Sequence, residues 1–197
     1  MQILNPIPDL HWSCSKGIAA RWFVFFFPFL LMSMAPSQSQ APSREYQVKA
    51  VFLYNFTQFV EWPADAFQKE DAPFVIGILG KDPFGTYLDE TVKGEKLNTH
   101  PLVVQRFSKV EDITTCHILF VNTLEKNVLE NIFAHADAHH ILTVGDAEGF
   151  AKRGGMIRFI TDNGKTRIRI NLDAAKNADI TISSKLLRLA EVVSQKN

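Results

Sequence analysis

Residues 155–172, GMIRFITDNGKTRIRINL, constrain the fold of this chain more than any other stretch. Two β-rich runs flank Asn163-Gly164, the strongest short-range signal for a two-residue hairpin turn. Such a turn sets the register. Asp162 faces Lys165, Ile160 faces Arg167, Phe159 faces Ile168, Arg158 faces Arg169 and Ile157 faces Ile170. Strand side chains alternate between faces, so Ile157, Phe159, Ile168 and Ile170 share one face, which reads as core. Arg158, Arg167 and Arg169 share the other.

The chain before the hairpin alternates between two periodicities. FVIGIL (74–79), LVVQRF (102–107), ILFVN (118–122) and ILTVG (141–145) are strand-like apolar runs. Between them lie KDPFGTYLDETV, where Asp82-Pro83 suits a helix start, and TLEKNVLENIFAHA (123–136), with Leu124, Val128, Leu129 and Ile132 at core spacing. Interleaved strands and helices predict a single layered α/β domain with a largely parallel sheet. After the hairpin, DAAKNA (173–178) and DITISS lead into a predicted helix over 184–193. Ser183 or Ser184 caps that helix, and Leu186, Leu187, Leu189, Ala190 and Val193 form its apolar stripe. The domain is expected over 45–193, with a tail at 194–197.

KAVFLYNFTQFVEWP (49–63) packs Phe52, Tyr54, Phe56, Phe59 and Trp62 into one short run. At helical spacing Phe52, Leu53, Phe56, Phe59 and Val60 gather on one side, while Gln47, Asn55, Gln58 and Glu61 lie broadly on the other. This is an amphipathic core helix, too polar for a membrane span, and Trp62-Pro63 ends it. Lys49 falls in the middle of the apolar face. Either its stem snorkels to water or its amine is paired with a carboxylate or faces a ligand.

The front of the chain is of another kind. Residues 1–21 carry Lys16 and Arg21 against Asp9, followed by the uncharged run WFVFFFPFLLMSM (22–34). A span needs about 20 apolar residues, so residues 1–35 read as a secretory signal peptide, cleaved after Ala35. An uncleaved anchor is the alternative. Residues 36–44 are then a polar linker. Removal leaves Cys116 of the two cysteines, so the exported domain has no internal disulfide. Cys116, at the mouth of an apolar strand, reads as a buried small hydrophobe rather than a reactive thiol. With 46% hydrophobic and 21% charged residues and no formal net charge, the chain has the composition of one globular domain. That balance gives no general reason to expect nucleic acid or an acidic membrane as partner.

No chemical motif stands out. His135 and His139 are spaced i, i+4, but a metal site needs further ligands, and none is expected. Neither a G-x-G-x-x-G, a Walker sequence nor a G-x-S-x-G elbow is present, so no cofactor and no enzymatic activity are expected. Two features remain. The loop before the hairpin carries Lys152, Arg153, Gly154 and Gly155, which either hold a small anion or form a solvated turn. The arginine face of Arg158, Arg167 and Arg169 either deters edge aggregation or receives an acidic partner surface or phosphate-type ligand.

KAVFLYNFTQFVEWP, DPFG after a strand, GGMIRF and RIRINLDAAKNADITISSKLLRLA together resemble the YfiR-like family of small exported proteins, over residues 45–193. The resemblance implies a periplasmic α/β domain without catalytic activity. It implies a repressor that binds the periplasmic sensor domain of an inner-membrane diguanylate cyclase, lowering cyclic di-GMP and biofilm formation. An outer-membrane lipoprotein can sequester such a repressor, and a homodimer is open. Matching framework positions are Lys49, Tyr54, Asn55, Phe56, Trp62, Pro63, Asn171, Ser183 and Ser184. Sensor contacts fall toward GGMIRF and INLDAAKNADITISSKLL. Family members linked to redox control carry disulfide pairs, from which this chain departs. The alternative class is a periplasmic module for a small anionic or nucleotide-like ligand.

Overall fold

A computed structural model describes residues 42–194, apart from 68, 70 and 124. The predicted signal peptide, most of the linker, Leu124 and the last three residues of the tail lie outside the described residues.

The polypeptide opens with α1 (Arg44–Phe59), then β1 (Val60–Glu61), β2 (Phe74–Gly80), α2 (Thr86–Val92), β3 (Lys96–Leu97) and β4 (His100–Phe107). It continues through β5 (Ile118–Asn122), α3 (Lys126–Ala138), β6 (Leu142–Gly145), β7 (Ile157–Asp162) and β8 (Lys165–Asn171). It closes with α4 (Leu172–Asn177), β9 (Thr181–Ile182), α5 (Ser184–Leu187) and β10 (Ala190–Val193). An eight-stranded sheet runs in the order β10-β8-β7-β6-β5-β2-β4-β3. Strands β4, β2, β5, β6 and β7 are mutually parallel, while β8 returns antiparallel to β7. This is the α/β layer expected from the alternating pattern, with the antiparallel hairpin at its C-terminal side.

Two clusters divide the sheet faces. One packs α1, α2 and α4 on Phe74, Ile76, Ile78, Phe120, Val144, Ile157, Phe159, Ile168 and Ile170. The other packs α3 on Leu79, Leu119 and Val121. Strand β2 is buried on both faces, which explains its continuous apolar run.

The hairpin has the predicted register at all five pairs. Asn163 and Gly164 both have positive φ, 51° and 72°. That is the requirement of a tight turn whose twist matches the strands.

Besides the later starts of α2 and α3, at Thr86 and Lys126, two boundaries differ from the expectation. Helix α1 stops at Phe59, three residues before Trp62, because Val60-Glu61 turns extended and pairs with Thr181-Ile182. The Phe59 carbonyl accepts the N–H of Ser183. The second difference is larger. The predicted helix over 184–193 is helical only to Leu187, and Ala190–Val193 is a strand parallel to β8. Without it, β8 would leave a row of main-chain groups unpaired. β-Branched Val192 and Val193 suit a strand better than a helix, and Leu189, placed in the apolar stripe, is 75% exposed. Ser183 is the cap of the shortened helix, accepting the Leu186 N–H at 3.4 Å.

A candidate protein-binding face

The hairpin sets Arg158 directly opposite Arg169 on the sheet face away from α1. Like charges in such a pair repel. β10 relieves half of the repulsion: Glu191 sits beside Arg169 in register and accepts a hydrogen bond from its guanidinium at 2.7 Å. Arg167, on the same face, lies 3.3 Å from Asp162. Arg158 has no ion-pair partner among the described residues, and the Nε atoms of both Arg158 and Arg169 are buried without a hydrogen bond. β10 starts only opposite Ile168, so the first part of β8 has no neighbour on that side. The resulting notch, about 420 Å³, is lined by Ile160, Arg167, Arg169, Arg188, Leu189 and Glu191. Arg188 and Glu191 were missed by sequence reasoning. Their only signal was the Arg-Leu-Ala-Glu-Val-Val run, which also fits a helix.

The glycine loop has a different geometry. Ala151–Arg153 is one 3₁₀ turn, ended by Gly154 at φ 115°. A Cβ on Gly155 would lie 2.1 Å from the Phe150 ring, and that ring packs edge-on against Phe133 of α3. The N–H groups of Arg153 and Gly155 already donate to Gly149 and Phe150 carbonyls. Lys152 and Arg153 extend into solvent. The loop therefore packs on the α3 side, with its two glycines occupied by a turn and a close approach.

Of the framework positions, Lys49, Phe56 and Asn171 are buried and most of the others are half-buried. Lys49, only 2% exposed, is paired rather than snorkelling: its Nζ lies 2.7 Å from Glu45 and 2.8 Å from Asp146. Tyr46 donates to the same Asp146 oxygen at 2.9 Å, and its ring lies under the Lys49 ammonium. Thr161 donates to Glu45 at 2.8 Å. The hydrogen bonds from Lys49 and Thr161 hold the Glu45 carboxyl below the usual range, and burial with the Asp146 bond pushes the Tyr46 phenol up. This cluster ties α1 to the carboxyl end of β6 and to β7.

Phe56 stacks on Phe159, and Tyr54 donates to Glu95 at 2.8 Å. Trp62 Nε1 donates to the His117 carbonyl, with Pro63 and Asn55 half-buried nearby in sequence. Asn171, fully buried, caps α4 by accepting the Ala174 N–H and donates to the Ala151 carbonyl. Ser184 is exposed.

Cys116 is buried and donates to the Ile118 carbonyl at 3.1 Å, and burial pushes its thiol up to about 12. His117 is flanked by the rings of Phe67 and Phe74, and burial brings its imidazole down to about 4. His135 and His139 stack at 4.2 Å, but His139 Nδ1 is engaged by the His135 carbonyl. Among the described residues no three metal-ligating side chains converge.

A family model described as YfiR/HmsC-like, DUF4154, matches residues 46–191, from Tyr46 in α1 to Glu191 in β10. The chain belongs to the YfiR/HmsC-like family. YfiR-like proteins are periplasmic regulators, and no helix among the described residues is long and apolar enough to cross a membrane. The match takes in the Lys49 cluster, the hairpin and the notch beside it. A search of curated proteins finds no match. Among solved structures, the chain is similar to a conserved domain protein from Vibrio cholerae O1 biovar El Tor, at 15% identity and a TM-score of 0.44 over 77% of this chain. It is also similar to an ABC domain in complex with L-Trp from Streptococcus pneumonia, at 14% identity and a TM-score of 0.43 over 75% of this chain. The chain spans 60% of the length of each.

Proposed function

We propose that this protein is a non-enzymatic periplasmic repressor that binds the periplasmic sensor domain of an inner-membrane diguanylate cyclase and lowers cyclic di-GMP. The family supports the regulatory class. The observation that supports a protein-binding face is the arginine arrangement, in which Arg158 and Arg169 oppose each other and Arg158 lacks an acid among the described residues. A partner carboxylate placed between the two guanidinium groups would satisfy both forks. Release by an outer-membrane lipoprotein belongs to the same reading, through competition for the repressor.

The test is cellular cyclic di-GMP in a deletion strain and in one complemented with the exported protein. A rise on deletion, reversed by complementation, is the expected result. No change in either strain, together with no capture of the cognate sensor domain by the purified protein, would remove the proposal.

A second reading is a periplasmic anion-binding module, supported by the three arginines around the notch. Saturating ligand would then raise the melting temperature as RT ln(1 + [L]/Kd) requires. A flat melting temperature across phosphate, nucleotides and dicarboxylates would leave only the protein-binding reading.

A further inference from the structure

Natural sheets protect their edges with short strands, lysine, proline or bulges. One edge of this sheet follows the rule: β3 is two residues long, includes Lys96 and follows Gly94. β10, at the other edge, is four residues long, with neither lysine nor proline, and among the described residues only β8 pairs with it. Its one charge, Glu191, is engaged by Arg169. Val192 is 46% exposed and Leu189, just before the strand, 75%. Beside this open edge stand Arg167, Arg169 and Arg188, with Asp162 and Glu191 as the acids lining the same notch; Arg158 lies one strand further in, on β7.

We infer that the free edge of β10 receives an extended acidic segment of a protein partner, which adds as a further strand and places carboxylates in the arginine notch. The main-chain ladder would supply affinity and the alternating side chains specificity, as in strand addition generally. A second copy of this chain is the poorer occupant, since it brings the same arginine excess to the contact. The inference rests on the repressor reading for the partner's identity, but the edge itself is testable without any cyclase.

The probe is a synthetic peptide of alternating Glu and Val, about eight residues long, enough to pass the whole of β10. Fluorescence anisotropy with the full protein should show saturable binding that weakens with salt. The Lys-Val counterpart and a Glu-Val peptide with a central proline should bind at least about tenfold more weakly, since one reverses the charge and the other breaks the ladder. Val192→Glu and the double variant Arg167→Glu/Arg188→Glu should each cause a comparable loss, since each sets like charge against the acidic peptide, with circular dichroism and melting temperature reporting that the fold is kept. Equal binding of all three peptides, or none of the Glu-Val peptide, overturns the inference. So does a protein dimer that dissociates on Val192→Glu, which assigns the edge to a second copy.

In complex with the sensor domain, amides of residues 190–193 should gain hydrogen-exchange protection. A sensor complex without that protection overturns edge addition and leaves repression standing. Peptide binding without sensor binding does the reverse.

Discussion

Lys49 and Asp146 stand 97 residues apart in sequence and 2.8 Å apart in space, with the ammonium sealed from solvent between α1 and the end of β6. The pair is the mechanical link between the first helix and the strand that precedes the hairpin. It also gives the lysine on an apolar helix face its physical reason.

Lys49→Met keeps the apolar stem and removes the charge. It strands Asp146 with Tyr46 alone and should cost about 2–3 kcal/mol, less than a fully dry pair because both carboxylates keep some water. The urea midpoint checks this. A loss below about 0.5 kcal/mol would mean the cluster relaxes freely.

Arg158→Glu should abolish capture of the sensor domain while leaving stability within about 1 kcal/mol of the wild type, because it converts an Arg–Arg pair into an attractive one. Arg169→Glu should be the less stable variant, since it faces Glu191 across the β8–β10 pair. Binding titration beside thermal melts separates the two. Equal loss of fold in both would assign the arginines to scaffold.

His117 should titrate with a midpoint near 4 by nuclear magnetic resonance, well below an ordinary imidazole, because burial disfavours its charged form. Between about pH 6.5 and 4 the unfolded chain takes up this proton and the folded one does not. Stability therefore falls as pH drops through that window, and this contribution levels off below it. In His117→Asn the slope of the urea midpoint against pH should flatten there.

Cys116 should resist a thiol reagent at pH 8 in the native protein and react at once in denaturant, because its thiol is buried and held up to about 12. Rapid native labelling would mean the strand opens locally on the reaction timescale.

Gly155→Ala forces a methyl group against the Phe150 ring. The variant should lose about 1–3 kcal/mol, the range for overpacking a tight core. Gly164→Ala, with open space around its Cβ position, should lose less, and only through its positive φ. Paired urea melts give both values.

Local chemistry made much of the fold legible. Asn163-Gly164 admits one tight turn, and once the turn is set, period-two alternation assigns every residue of the hairpin to a face. The apolar runs of β2, β5 and β6 have the length and composition of buried strands, and the helices between them carry their own spacing. Those choices depend on neighbours a few residues away. Lys49, by contrast, carried no sign of its partner, because a carboxylate such as Asp146 looks like any solvated acid until the chain folds back onto it. Arg-Leu-Ala-Glu-Val-Val suits both a helix and a strand, so its own preference is weak. The unpaired main chain of β8 decided for strand β10, and that long-range demand also placed Glu191 beside Arg169 and opened the notch. Sequence alone determined the buried parallel strands, the helices between them and the hairpin face. Tertiary structure decided which charges meet, because electrostatic pairing depends on distance in space, which local periodicity does not encode.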